Sequence, residues 1–150
     1  MDSLSNQPYT ADLRGFIEFL ETNHPNEIIR ISAEVDPKFG VTGILARLER
    51  DGHFEAVIFE NVKGSKVPLV ANMHGSFTRL RYAIGMEDGD EKSFLKNYGA
   101  LEANPIEPVM VDIAPAQEIV KVGDEIDVGE FPICTYHEKD AGRFITAGLG

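Results

Sequence analysis

The sequence has a single cysteine, Cys134, among 150 residues. An internal disulfide and a cysteine-based zinc site are both excluded. Basic residues are also scarce. Fourteen Lys and Arg stand against 25 Asp and Glu, and the formal charge of −11 repels nucleic acid and anionic membrane surfaces at long range. No apolar run approaches the roughly 20 residues that a membrane span requires. The opening Met1-Asp2-Ser3-Leu4-Ser5-Asn6 lacks the basic start and apolar middle of a signal peptide. The chain therefore reads as cytosolic, with no nucleic acid and no membrane among its partners. What it does contain is 43% apolar residues, enough for a packed core.

Several familiar sites are missing as well. No Gly-x-Gly-x-x-Gly opens a helix after a strand, and Lys63-Gly64-Ser65-Lys66 lacks the earlier glycine and the residue order of a phosphate-binding loop, so it reads as a hairpin turn. His24, His53, His74 and His137 show no paired metal-ligand spacing and read as surface or loop residues. Glu87, Asp88, Asp90 and Glu91 lack the alternation of a calcium loop and suit the start of a helix. Cys134 has no assignable activating base and reads as a small buried side chain.

Periodicity organises the rest. Leu13, Phe16, Ile17 and Leu20 follow the i, i+3, i+4, i+7 pattern of an amphipathic helix that Asn23-His24-Pro25 ends. From Ile29 to Val35 the period becomes two, as in a half-buried strand closed by Asp36-Pro37. Val41, Ile44, Leu45 and Leu48 then mark a helix stopped at Asp51-Gly52, and Ala56–Glu60 and Val67–Ala71 are short strands joined as a hairpin. Ser76 is a candidate N-cap for a helix from Phe77 to Ile84, and Asp90 for another from Glu91 to Tyr98. The expected core is Leu13, Phe16, Leu20, Ile29, Ile31, Leu45, Leu48, Ile58 and Leu80. Pro105 and Pro108 disfavour regular structure, which places a domain boundary between Gly99 and Pro108. Beyond it, Val109–Ile113 and Glu118–Val122 have the composition of strands.

The last twenty residues read Phe-Pro-Ile-Cys-Thr-Tyr, then the polar turn His137-Glu138-Lys139-Asp140-Ala141-Gly142, then Arg143-Phe144-Ile145-Thr146-Ala147-Gly148-Leu149. Two β-type runs around such a turn describe a ligand-facing hairpin. On the residues alone Thr146 is a hairpin threonine, and its neighbours Ala147 and Gly148 leave room for a planar ligand to approach the backbone. The pattern Pro-Ile-x-Thr-x-His-x-x-Asp-Ala-Gly-x-Phe-Ile-Thr-x-Gly-Leu resembles the start of the cofactor-binding domain of UbiD-family decarboxylases. Upstream, Asp12-Leu13-Arg14-x-Phe16-Ile17, Glu34-Val35-Asp36-Pro37, Phe59-Glu60-Asn61-Val62-Lys63-Gly64-Ser65 and Asn72-x-x-Gly75-Ser76 follow in the order that family shows. The resemblance covers nearly the whole chain.

It implies an α/β fold: a mixed α/β N-terminal domain, residues 10–107, followed at 108–150 by the first strands of a flavin-binding split β-barrel. It also implies a lyase that reversibly decarboxylates aromatic or α,β-unsaturated carboxylic acids with prenylated FMN. A divalent metal such as Mn sits on the flavin phosphate, a UbiX-like flavin prenyltransferase supplies the cofactor, and the complete enzyme is a homo-oligomer. Thr146 matches the family threonine beside the flavin. The family's catalytic residues and metal ligands match positions after Gly150, so no catalytic and no metal residue is expected within this chain, and none of these cofactors is expected to bind it alone. The competing expectation is a non-catalytic subunit or assembly module of a UbiD-like complex.

Overall fold

The computed structural model describes Tyr9 and residues 12–145. It contains two compact units, one built from the chain up to Glu87 together with the segment from Gly129, the other from Asp88–Val128.

The first unit is a three-stranded sheet clad on both faces. Helix α1 (Leu13–Asn23) begins at Asp12, whose side chain accepts from the Gly15 amide at 2.7 Å. An acidic N-cap satisfies one of the open N–H groups of the first turn and suits its positive end. A 3₁₀ turn at Pro25–Glu27 leads into strand β1 (Ile28–Ile31), and helix α2 (Gly40–Arg50) crosses over to strand β2 (Ala56–Phe59). β1 and β2 are parallel, with Ile28 opposite Ala56 and Ile31 opposite Phe59. The crossover helix is what makes that possible, because parallel neighbours cannot be joined by a tight turn. Strand β3 (Leu69–Ala71) returns antiparallel to β2, giving the order β1-β2-β3. Helix α3 (Phe77–Ala83) follows, N-capped by Ser76.

Every residue of β2 is buried, as expected of a central strand covered on both faces. Ala56 and Ile58 pack with Phe16, Phe19, Leu20 and Ile28, while Val57 and Phe59 pack with Val35, Val41, Val62 and Cys134. Full burial of each large apolar side chain contributes about 1.5–3 kcal/mol, so β2 anchors both layers.

Differences from the sequence reading have local causes. Strand β1 stops at Ile31. The backbone beyond it leaves the ladder and rejoins only at Val35, whose amide donates to Asn61 O at 3.0 Å and whose carbonyl accepts from Lys63 N at 2.9 Å. Leu13, at the solvent end of α1, is exposed, and Phe19 takes its place in the core. Leu80 is half-buried. The residue of α3 that is sealed off is Arg79, only 1% exposed.

Arg79 carries an unusually complete set of partners for a buried charge. Its Nη1 donates to Glu27 Oε2 at 2.8 Å and to Glu27 O at 3.2 Å. Nη2 donates to Phe54 O at 2.6 Å and Asn72 O at 2.9 Å, and Nε to Met73 O at 3.0 Å. Burial pushes its pKa down and the Glu27 carboxylate opposes that shift. The guanidinium stays charged, because arginine is too strong a base to be deprotonated inside a protein.

The second unit holds helix α4 (Glu91–Ala103) and two 3₁₀ turns, Pro115–Gln117 and Gly123–Glu125; a third, Val128–Glu130, leads out of it. A capping box joins Asp90 and Ser93, and the Asp90 carboxyl is held below its usual range by the Ser93 hydroxyl and amide. α4 runs five residues past its expected end at Tyr98, through Gly99 to Ala103, and stops before Pro105. The runs Val109–Ile113 and Glu118–Val122 form no strand. A strand exists only with a ladder partner, and among the described residues neither run has one, so Val109, Ile113 and Ile119 stand exposed and Met110 is 92% exposed. The mixed α/β character of the chain is as expected. Among the described residues no helix is long and apolar enough to cross a membrane.

Replacing Arg79 by Leu is expected to strand four backbone carbonyls and the Glu27 carboxylate, and to lower unfolding stability by about 3–5 kcal/mol. Glu27→Gln, which keeps a hydrogen-bonding side chain, is expected to cost much less. Urea denaturation followed by circular dichroism measures both, and equal midpoints for Arg79→Leu and the unmodified chain would contradict this role.

Candidate functional site

The hairpin singled out by the sequence lies on the first unit. Phe131–Ile145 turns back on itself through one antiparallel bridge, where Phe144 N donates to Cys134 O at 2.9 Å. The turn is closed by Asp140, whose carboxylate accepts from His137 N at 2.8 Å and Tyr136 N at 3.2 Å. In the Asp-Ala-Gly motif, then, the aspartate caps a turn, as short acidic side chains commonly do.

The hairpin is fastened to the loop before α2. Phe39 N donates to Thr135 O at 3.0 Å and Thr135 N to Pro37 O at 3.1 Å, forming a parallel bridge at Lys38 and Thr135. The Thr42 hydroxyl adds a bond to Tyr136 O at 3.0 Å. That loop is itself shaped by Asp36, which accepts from Lys38 N at 2.8 Å and from Lys63 Nζ at 3.3 Å. The Lys38 amide, and after it the Lys63 ammonium, hold the Asp36 carboxyl below its usual range. Phe39 adopts φ 68°, a left-handed conformation that costs a non-glycine residue of order 1 kcal/mol, and the paired loop on both sides maintains it. A further bond, Ser65 Oγ to Glu130 O at 2.8 Å, secures the approach to the hairpin.

The Asn72-x-x-Gly75-Ser76 motif is likewise a structural lock. Asn72 sits at φ 56° and its Nδ2 donates to Phe54 O and Glu55 O at 3.1 and 3.0 Å. A Cβ on Gly75 would stand 2.1 Å from Asn72 Oδ1, so only glycine allows that amide its place.

Cys134 is buried against Val57, Phe59 and Val62, and burial pushes its thiol pKa up. That environment disfavours the thiolate a nucleophile would need. His24, His53 and His74 lie on three separate segments. His24 stacks on Tyr82 with ring centroids 4.1 Å apart, and His53 pairs with Glu55 at 3.0 Å. Among the described residues no group of three or more His, Cys, Asp or Glu could hold a metal ion. Thr146, the expected cofactor contact, lies outside the described residues. Sequence reasoning missed Arg79 altogether, because an arginine flanked by Thr78 and Leu80 in a helix reads as a solvated residue. An apolar cleft of about 290 Å³ separates the hairpin from β3 and is lined by Leu69, Val70, Phe131, Ile133, Phe144 and Ile145 among others.

Residues 17–95 match the 3-octaprenyl-4-hydroxybenzoate carboxy-lyase N-terminal domain, and residues 108–150 match the 3-octaprenyl-4-hydroxybenzoate carboxy-lyase Rift-related domain. The chain belongs to the UbiD family. A relative from Synechocystis sp., itself uncharacterized, is 35% identical over 159 residues, which cover 92% of this chain and 31% of the relative. Among solved structures, an evolved dimeric form of the UbiD-class enzyme HmfF from Pelotomaculum thermopropionicum in complex with prFMN is 30% identical, with TM-score 0.75 over 89% of this chain and 30% of HmfF. The vanillic acid decarboxylase of Sedimentibacter hydroxybenzoicus in open form is 28% identical, with TM-score 0.77 over 90% of this chain and 30% of that one. This chain thus spans just under a third of the length of the relatives it matches. The resemblance carried by the ordered motifs is a family membership, and the α/β unit is similar to the N-terminal regions of UbiD enzymes.

For Cys134 the expectation is kinetic. In the folded chain the thiol should react with a disulfide reagent such as DTNB far more slowly than in urea-unfolded chain at the same pH, because burial both shields it and raises its pKa. Equal rates in the two states would show that the hairpin does not stay docked over Val57 and Phe59.

Proposed function

We propose that this chain is the N-terminal part of a UbiD-like carboxy-lyase that reversibly decarboxylates aromatic or α,β-unsaturated carboxylic acids with prenylated FMN. The observation that carries this reading is the succession of two UbiD-family matches along one chain, N-terminal domain then Rift-related domain, in a segment whose fold is similar to that of an enzyme solved with prFMN. In that reading the chain divides at about residue 107, and the piece from 108 begins the flavin-binding barrel.

The part played by these residues is to present a strand. Bonds from Phe39 and Thr42 hold the 131–145 hairpin on the α/β unit, Ser65 holds Glu130 just before it, and Arg143-Phe144-Ile145 leads directly into Thr146, which we place beside the flavin. The flavin, when bound, supplies the electron sink for loss of CO₂, which no protein side chain provides. On the family resemblance we assign the divalent metal, such as Mn, and the catalytic residues to positions after Gly150. A UbiX-like prenyltransferase would supply the cofactor in the cytosol, and a chain of the relatives' length would assemble as a homo-oligomer, as the dimeric HmfF does. The second reading, a non-catalytic subunit or assembly module, draws support from the exposed apolar side chains between Val109 and Val128.

The test uses a polypeptide of the relatives' length that carries this segment, co-expressed with a flavin prenyltransferase. It is expected to retain flavin absorbance and release CO₂ from aromatic or cinnamic-type acids. Thr146→Trp is expected to lose the flavin while circular dichroism stays unchanged. Full flavin occupancy in Thr146→Trp would remove Thr146 from the cofactor site, and flavin-free, inactive unmodified protein would favour the non-catalytic reading.

A further inference from the structure

A second cleft, of about 500 Å³, opens between α2 and the 136–138 turn of the hairpin. Its volume falls within the range of small-molecule sites. The floor is apolar: Phe39, Gly43, Ala46 and Tyr136 line it. Arg50 stands in one wall, and His137 and Glu138 in the other.

Two features of this cleft go unexplained by the packing of the chain itself. The first is charge. In a protein with 25 acidic residues, the Arg50 guanidinium makes no ion pair or hydrogen bond among the described residues, although its neighbour Arg47 pairs with Asp51 at 2.7 Å. The His137 ring is equally unpartnered, since the bonds at that residue run through its backbone. Besides Arg50, a second cation borders the floor, with Lys38 Nζ 5.6 Å from the centre of the Phe39 ring. The second feature is Gly43. Glycine inside a helix costs about 0.5–1 kcal/mol relative to alanine. Nothing lies within 4 Å of where its Cβ would stand, so the fold does not require the gap. A side chain there would only fill the cleft.

We propose that this cleft binds a small organic monocarboxylate, its carboxylate between Arg50 and His137 and its apolar body on Phe39, Gly43, Ala46 and Tyr136. A guanidinium presents donors in the planar fork that a carboxylate accepts, and the apolar floor supplies the area that a simple inorganic anion cannot use. Glu138 opposes the ligand's charge, which limits affinity and gives the proposal a sign to test.

The inference rests on the cleft alone, so the experiment is run on the 150-residue chain without flavin, and its failure leaves the decarboxylase reading untouched. Amide shifts of ¹⁵N-labelled protein are followed during titration with sodium benzoate, with benzamide as the uncharged counterpart and acetate as the counterpart without an apolar body. Benzoate is expected to bind in the millimolar range, shifting the amides of Thr42, Gly43, Ala46, Tyr136 and His137, with both controls weaker. Arg50→Gln should weaken benzoate about tenfold, the loss of one charge-assisted contact. Glu138→Gln should tighten it, and Gly43→Leu should abolish it with helix content kept. Absence of shifts at those amides, equal binding of benzamide, or benzoate binding that survives both Arg50→Gln and Gly43→Leu would overturn the proposal.

Discussion

The guanidinium of Arg79 is the contact on which the first unit most depends. It reaches Glu27 before β1, Phe54 before β2, and Asn72 and Met73 after β3, and so ties together the ends of all three strands from one side chain on α3. Each of those carbonyls lies where a strand starts or stops and its ladder partner runs out. A buried backbone carbonyl without a partner costs about 1–3 kcal/mol, and a rigid fork of five donors is suited to satisfying several at once. Lysine, with one compact ammonium on a flexible stem, could not span the same positions.

That junction depends on the residues beside it. Asn72 turns its amide on Phe54 and Glu55 while its own carbonyl faces Arg79, and this works only because Gly75 has no side chain. Ser76 then caps α3, its side chain accepting from the Arg79 amide. At the other end of the sheet, Asp36, Lys63 and the strained Phe39 shape the loop that receives the hairpin. Most of the family motifs thus read as joints of a scaffold.

The two clefts beside the hairpin differ in character. The one against β3 is mostly apolar, while the one against α2 combines an apolar floor with the Arg50 guanidinium. Only the latter has a chemistry that selects a ligand, since apolar walls alone discriminate by shape and area and not by charge.

Much of the fold could be read from residue order. The 3.6-residue spacing of Leu13 to Leu20 and of Val41 to Leu48 located α1 and α2, alternation located β1, and the capping residues Ser76 and Asp90 located the starts of α3 and α4. These signals are local, because a helix face or a cap is decided by neighbours within a turn or two. The ordered motifs carried the family. What only the tertiary structure decided are the properties that depend on distant partners. Arg79 is buried because backbone carbonyls from three other segments converge on it, and no pattern around Thr78 and Leu80 encodes that. Val109–Ile113 and Glu118–Val122 have strand composition but no strand, since a ladder needs a second chain segment at hydrogen-bonding distance. The cleft at Gly43 and Arg50 likewise exists only where a hairpin more than eighty residues further along the chain lies against α2.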